Sequence, residues 1–337
     1  DQGGGGSGGQ GGQGGQGGSC ENSLPNMETA PALLSETGLY ADISSFTVAD
    51  HAQAYAPQFE LWSDGAVKTR WAYLPECGMI DNLNWSFPVG TRMWKEFVVG
   101  GQLIETRLIH RYGDGPNDFL YAAYQWRDDD SDADLVTGDM EVVDAKGTEH
   151  DIPFAEQCRE CHGPTGFPGG GMPSRYLGFG AIQLSHDGAG LTMASLSNDG
   201  YLMAPNPAGY SVPGNAVEQA AYGYLHANCG NCHNLTSDGV TFPTIDLQLA
   251  AGETDPLLVG AYTSMVNIEV DFYESTSCTH SIAGTDLGKS WVHERMLARG
   301  SGAVENDDQM PPLATDVADN DGLAAIAAWI ATLPPVQ

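Results

Sequence analysis

The segment Cys158-Arg159-Glu160-Cys161-His162 has the form C-x-x-C-H, and Cys229-Gly230-Asn231-Cys232-His233 repeats that form further along the chain. This string is the attachment signature of c-type haem. Two thiols separated by two residues reach the two vinyl groups at one porphyrin edge, and the next histidine then lies beneath the iron. The segments predict two covalent haems with His162 and His233 as proximal iron ligands. Zinc binding or disulfide formation is the alternative for these four cysteines.

The residue that would be the sixth ligand of each iron is less evident. Met310 lies in a proline-containing loop before the last predicted helix, which favours it as the sixth ligand of the second iron over a gap-filling core methionine. For the first iron the candidates are Met172, His186 and Met203. A ligand from the preceding β-rich region, or an open coordination position, is also consistent with the sequence. An open iron binds small molecules such as peroxide, so this choice separates an electron carrier from an enzyme.

The region before the first motif has the pattern of a β-domain. Runs such as 92–99 and 119–126 are rich in β-branched and aromatic residues, and glycine or proline turns separate them. Short strands at this spacing predict an antiparallel, sandwich-like domain over residues 20–153.

The remainder of the chain reads as short helices joined by glycine- and proline-rich loops. The clearest helical segments are 215–225 and 321–333. We therefore expect two small α-helical cytochrome c modules, at residues 154–212 and 213–337. The predicted fold class is α+β and multidomain, and the two haems are expected to lie close together.

Residues 1–19 form a separate glycine-rich tail that reads DQGGGGSGGQGGQGGQGGS. Glycine-rich chains lose much backbone entropy when they become ordered, so a flexible linker is one expectation. Glycine at this frequency also permits polyproline-II strands that pack against one another between subunits. The tail therefore predicts either a tether or the assembly segment of a homo-oligomer or extracellular filament.

Charge limits the classes of partner. The 44 acidic and 13 basic residues give a formal net charge of −31, which would repel nucleic acids and anionic membranes. The acidity provides either solubility or a docking surface for basic redox partners. The longest apolar stretch, 323–333, is far shorter than the roughly 20 residues that cross a bilayer, so no transmembrane segment is predicted. The start at Asp1 without a leader is expected of a mature, exported protein whose signal peptide was removed.

Cysteines outside the motifs and one acidic loop give two further expectations. Cys20, Cys77 and Cys278 predict one disulfide and one remaining thiol in an exported protein, with the pairing left open. The alternating carboxylates of residues 128–134 resemble a calcium loop but lack the glycine and the closing glutamate of an EF-hand. A solvated acidic loop is therefore favoured there over calcium binding.

Several short segments in chain order resemble a bacterial family of exported dihaem c-type cytochromes with an N-terminal β-domain. The resemblance covers about residues 35–333 and includes FELWSDGA at 59–66, FPVGT at 87–91, YLHANC at 224–229 and MPP at 310–312. It implies a three-part layout, haem ligation at both motifs and Met310 as an iron ligand, but no defined reaction. The glycine-rich tail, the glycine loop at 169–171 and the additional cysteines depart from the family pattern.

The predicted function is electron transfer outside the cytoplasm, toward redox partner proteins or extracellular electron acceptors. Two alternatives remain at this stage. One is a dihaem peroxidase-like enzyme with one open haem, and the other is a cell-surface binding module that uses the haems as a redox relay.

Overall fold

A computed structural model describes residues 24–76, 78–163, 174–235, 245–270, 277–299, 309–312 and 315–337. The tail at 1–19, together with Cys20, Cys77 and Met172, lies outside these described residues. The strands are β1 (Tyr40–Asp42), β2 (Thr47–Val48), β3 (Gln53–Tyr55), β4 (Val67–Tyr73), β5 (Arg92–Val99), β6 (Gln102–Arg111), β7 (Phe119–Trp126) and β8 (Ala133–Leu135). The α-helices are α1 (Ala155–His162), α2 (Met193–Asn198), α3 (Ala216–Asn228), α4 (Gly260–Met265), α5 (Trp291–Leu297) and α6 (Asn320–Ile330).

Six strands form one antiparallel sheet in the order β3-β4-β5-β6-β7-β8, while β1 and β2 pair separately. Each strand of the larger sheet lies beside its neighbour in sequence. Gly100 and Gly101, both with positive φ, form the two-residue turn between β5 and β6. The expected sandwich-like arrangement is therefore wrong, because the strands form a single meander rather than two packed sheets.

The two faces of the sheet bury different clusters. One face carries Trp71, Trp94, Leu108 and Ala122 directly opposite one another on β4 to β7, and the N-terminal segment covers it. The other face carries a parallel row of apolar residues. Its members are Ala72, Met93, Ile109 and Tyr121. Side chains alternate between faces along each strand, so neighbouring residues of one strand belong to different cores.

The expectation of two small α-helical cytochrome c modules is also wrong. The apolar side chains between residues 176 and 202 pack on the second sheet face and share its core, so this part of the chain has no helical core of its own. Helix α1, which precedes this stretch, and α2, which lies within it, have only 8 and 6 residues. Within the described ranges the molecule consists of eight strands, six short α-helices and four single-turn 3-10 helices joined by long irregular segments.

Helices α3 to α6 contribute to one further core, in which α3 and α6 pack together. Trp329 of α6 is fully buried there, and its ring meets that of Tyr222 edge to face at 5.1 Å. Every helix in the described part of the chain is too short or too polar to cross a membrane, as the sequence predicts.

The segment between β3 and β4 joins the sheet to these helices. The backbone N–H of Trp62 donates to Asn228 Oδ1 at 2.7 Å, and Asn228 Nδ2 donates to the carbonyl of Glu60 at 3.2 Å. Asp64 Oδ1 accepts from the backbone N–H of Val317 at 2.8 Å. This segment therefore fixes the end of α3, where the second motif begins, relative to the sheet.

Gly190 gives a test of the packing between the sheet and the chain that covers it. Its φ is +85°, and an added Cβ would lie 2.2 Å from the carbonyl oxygen of Ala54 in β3. Gly190→Ala is expected to lower the free energy of unfolding by about 1–2 kcal/mol for the left-handed backbone. The backbone clash should cost about 1–3 kcal/mol more. Urea unfolding followed by tryptophan fluorescence measures the loss.

Gly200 is the matched control for that substitution. Its φ is +78°, but an added Cβ would meet no atom within 4 Å. Gly200→Ala should therefore show only the backbone cost. Equal losses for the two variants would contradict the close approach of Gly190 to β3.

Candidate functional site

The first motif lies on α1. Positions 158, 161 and 162 are spaced i, i+3 and i+4, so Cys158, Cys161 and His162 share one face of this helix. The hydroxyl of Tyr121, on β7, donates to the carbonyl of His162 at 3.1 Å. The sheet thus anchors the C-terminal end of α1, where the histidine lies.

The imidazole of His162 is oriented by the main chain. Its Nδ1 lies 3.1 Å from the carbonyl oxygen of Arg175, which can only accept, so Nδ1 carries the proton and Nε2 keeps its lone pair. Burial lowers the pKa of His162 to about 3, and the positive charges of Lys95, Arg175 and Arg107 add to this effect. The ring is therefore neutral at physiological pH, the form of histidine that ligates metals.

The second motif follows the C-terminal end of α3. The backbone N–H groups of Cys232 and His233 both donate to the carbonyl of Cys229, at 3.0 and 2.9 Å, and form a tight turn. The Nδ1 atom of His233 is buried and has no hydrogen-bond partner among the described residues. Burial, with a contribution from the charge of Arg295, lowers the pKa of His233 to about 4. This imidazole is neutral as well.

The two motifs meet in the folded chain. The thiols of Cys161 and Cys232 lie close enough for each to shift the pKa of the other. That contact, together with burial, raises the pKa of Cys161 well above its usual value. Arg175 donates through Nη2 to the carbonyl of Cys161 at 3.4 Å and also to the carbonyl of Asn231. One guanidinium therefore connects the backbones of both motifs.

The remaining motif cysteines, Cys158 and Cys229, are half-buried against apolar clusters. Burial raises the pKa of Cys158 to about 11 and that of Cys229 to about 12. None of the four motif cysteines forms a disulfide. Cys158 packs against the sheet core and Cys229 against the helical core, so each motif joins a different core at its first cysteine.

Met310 and His233 of the second motif are both linked to Arg295 of α5. The backbone N–H of Met310 donates to the carbonyl of Arg295 at 2.9 Å, and the side chain of the same Arg295 acts electrostatically on His233. The half-buried Met310 and His233 therefore share α5 as a neighbour. The pairing of His233 with Met310 at the second iron stays a prediction.

For the first iron, the described candidates for the sixth ligand have other surroundings. In His186, Nδ1 accepts from the backbone N–H of Gly188 at 2.9 Å and Nε2 faces the carbonyl of Ala56 at 2.8 Å. Both ring nitrogens are thus already hydrogen-bonded. The ring also lines an open cavity of about 410 Å³. Met203 is 60 % exposed. Met172 lies outside the described residues.

The chain was compared with family models, with curated proteins and with solved structures. None of these comparisons gave a match. The resemblance to exported dihaem cytochromes rests on short segments in chain order and stays a prediction.

The acidic loop and Cys278 have other contacts in the structure. Asp134 pairs with Arg127 at 2.7 Å, and Asp132 accepts from the hydroxyl of Ser35 at 2.7 Å. Across the described ranges, no group of three or more His, Cys, Asp and Glu side chains is arranged to hold a metal ion. Cys278 is buried, and its two candidate disulfide partners lie outside those ranges.

Sequence reasoning missed a basic cluster beside the first motif. Arg70, Lys95 and Arg107 lie on three neighbouring strands, and Lys95 and Arg107 act electrostatically on His162. The alternation of Lys68 and Arg70 already indicates that these two share one face of a strand. The register that aligns the strands is not visible in the sequence.

Proposed function

We propose that this chain is an exported dihaem c-type cytochrome that carries electrons rather than transforming a substrate. The observation that supports the proposal best is the meeting of the two C-x-x-C-H motifs, because Arg175 donates to the carbonyl of Cys161 in the first and to that of Asn231 in the second. When bound, each haem would supply an iron that alternates between the ferrous and ferric states.

The residues of both motifs suit such a group. The first haem would be held by Cys158, Cys161 and His162, and the second by Cys229, Cys232 and His233, with Met310 as the sixth ligand. His162 has the backbone hydrogen bond at Nδ1 that typically orients a metal-ligating imidazole. At the second site, the buried Nδ1 of His233 lacks a partner among the residues described, which leaves one polar atom to be satisfied there.

The contact between the motifs favours transfer between two centres over catalysis at one. Groups attached to Cys161 and Cys232 would approach each other at the attached edge. Arg175 fixes that approach, because it is hydrogen-bonded to the backbone of both motifs. The net charge of −31 suits brief encounters with basic redox proteins, and extracellular acceptors are the other class of partner we propose.

The test uses the full chain produced in a bacterial host that attaches haem c. We expect two haems per chain, retained on a denaturing gel and quantified as the pyridine haemochrome. Both irons should be low-spin by absorbance and electron paramagnetic resonance. Because the motifs meet, circular dichroism in the Soret band should show the split signal of two coupled chromophores.

Three outcomes would count against the proposal. A chain without covalent haem would refute it outright. A high-spin iron whose absorbance shifts with cyanide would favour the peroxidase-like alternative. Two low-spin haems without the split dichroism signal would refute the contact as the basis of electron transfer.

A further inference from the structure

Three basic residues lie directly opposite one another across the sheet. Arg70 of β4 pairs in register with Lys95 of β5, and Lys95 pairs with Arg107 of β6. Lys68 lies two residues before Arg70 and therefore points to the same face. Like charges directly opposite on a sheet are destabilising, so this basic row needs anions to offset it.

The carboxylates in the described part of the chain offset only part of the positive charge of the row. Glu105 is fully buried and accepts from Arg107 Nε at 2.9 Å. Glu60 lies 3.5 Å from Arg70, but its side chain is 59 % exposed, so water weakens this pair. The ends of the row thus have one strong and one weak acidic partner.

Lys95, at the centre of the row, has a different environment. Within the described part of the chain it forms no ion pair, and its Nζ lies 4.9 Å from the centre of the Phe97 ring. Arg107 lies over the same ring, at 4.4 Å. Burial and the charges of Arg70 and Arg107 hold the pKa of Lys95 well below its usual value. A bound anion beside the ammonium group would offset both the cost of burying its charge and the repulsion from Arg70 and Arg107.

The basic row lies beside the first motif. Lys95 and Arg107 both act electrostatically on His162, and Arg107 acts on Cys158 and Cys161 as well. A porphyrin carries its carboxylates at the edge opposite its thioether bonds, with the iron between the two edges. The relevant neighbour of the row is therefore His162, on which both Lys95 and Arg107 act, rather than the two cysteines.

We infer that the basic row, with Lys95 at its centre, binds the propionate carboxylates of the group attached at the first motif. The inference rests on the proposed function, because it takes that group to be a haem. Carboxylates bind lysine and arginine through charge-assisted hydrogen bonds, which are stronger when water is excluded. The row would thus fix the orientation of the first haem against the sheet and place positive charge near its iron.

The test is the reduction potential of each haem in the full holoprotein, measured by potentiometric titration followed in the visible spectrum. Lys95→Met removes the charge and keeps a side chain that packs on Phe97. We expect one of the two potentials to fall, because a nearby cation stabilises the reduced iron, while the haem content stays at two. Lys95→Arg restores the charge and should return the potential toward the wild-type value.

The control and the remaining outcomes separate this inference from the proposed function. Lys289→Met removes an exposed lysine that pairs with Asp286, and both potentials should stay unchanged. Unchanged potentials in Lys95→Met, on a chain with two haems, would overturn this inference alone. If Lys95→Met does not fold, Arg70→Met is measured in its place, with the same expected fall. A wild-type chain without covalent haem would overturn both.

Discussion

A chain in which Cys158 and Cys161 are both replaced by alanine is expected to carry one haem instead of two. The variant with Cys229 and Cys232 replaced should likewise carry one. The reason is chemical: each haem is attached only through the two thioether bonds of its own motif, and no other cysteine pair in the chain has the C-x-x-C-H spacing. Intact-protein mass spectrometry and haem staining after denaturation measure the loss.

The two variants should share a second effect. Because the motifs meet at Cys161 and Cys232, removal of either haem should abolish the split Soret dichroism while the remaining haem keeps its absorbance. Cys278→Ala is the control, since this buried cysteine lies outside both motifs and two haems should remain. A variant that retains two covalent haems would show that the replaced cysteines are not the attachment points.

Local features of the fold could be read from the sequence. The runs 92–99 and 119–126 are strands β5 and β7, because β-branched and aromatic residues between glycine turns favour extended chain. The two clearest helical segments correspond to α3 and α6, and Asp319 caps α6 by accepting from the backbone N–H of Asp321. In each of these elements the pattern and the preference are contained in a few neighbouring residues.

The layers of the fold could not be read in this way. The apolar residues from 176 to 202 cover one sheet face, and this role depends on long-range packing. A sequence assigns such residues to an interior without showing which one. This is why the expected separate helical modules were wrong, although the short helices themselves exist.

The candidate site also has local features that the sequence shows and long-range contacts that it does not. Both motifs are visible as strings, and His162 and His233 follow from the chemistry of those strings. The approach of Cys161 to Cys232 depends on the turn after α3 and on Arg175, which no short-range pattern encodes. The basic row likewise requires the register of three strands, so residues far apart in sequence become neighbours only in the folded sheet.

Glu105→Gln is expected to lower the free energy of unfolding at pH 7 by about 3–5 kcal/mol, the usual cost of removing one partner from a buried ion pair. The Glu105 carboxylate is fully buried, accepts from His150 Nε2 at 2.7 Å and pairs with Arg107. Without it, the charge of Arg107 would face Lys95 with no buried anion beside it. Urea unfolding followed by circular dichroism measures the loss.

The matched control is Glu60→Gln, which neutralises a carboxylate beside the same basic row. Its side chain is 59 % exposed and lies 3.5 Å from Arg70, so about 0–1 kcal/mol should be lost. Similar losses for the two variants would contradict the buried network around Glu105.

The pH dependence gives a further check on Glu105. Burial alone would raise its pKa, but the charge of Arg107 and the hydrogen bonds from His150 and Arg107 outweigh it and lower the pKa. A carboxyl whose pKa is lower in the folded state stabilises the fold above its unfolded value of about 4.3. That contribution is lost as the pH falls through the folded value. The stability difference between wild type and Glu105→Gln should therefore narrow below about pH 4, and a constant difference would show that the carboxylate charge is not its source.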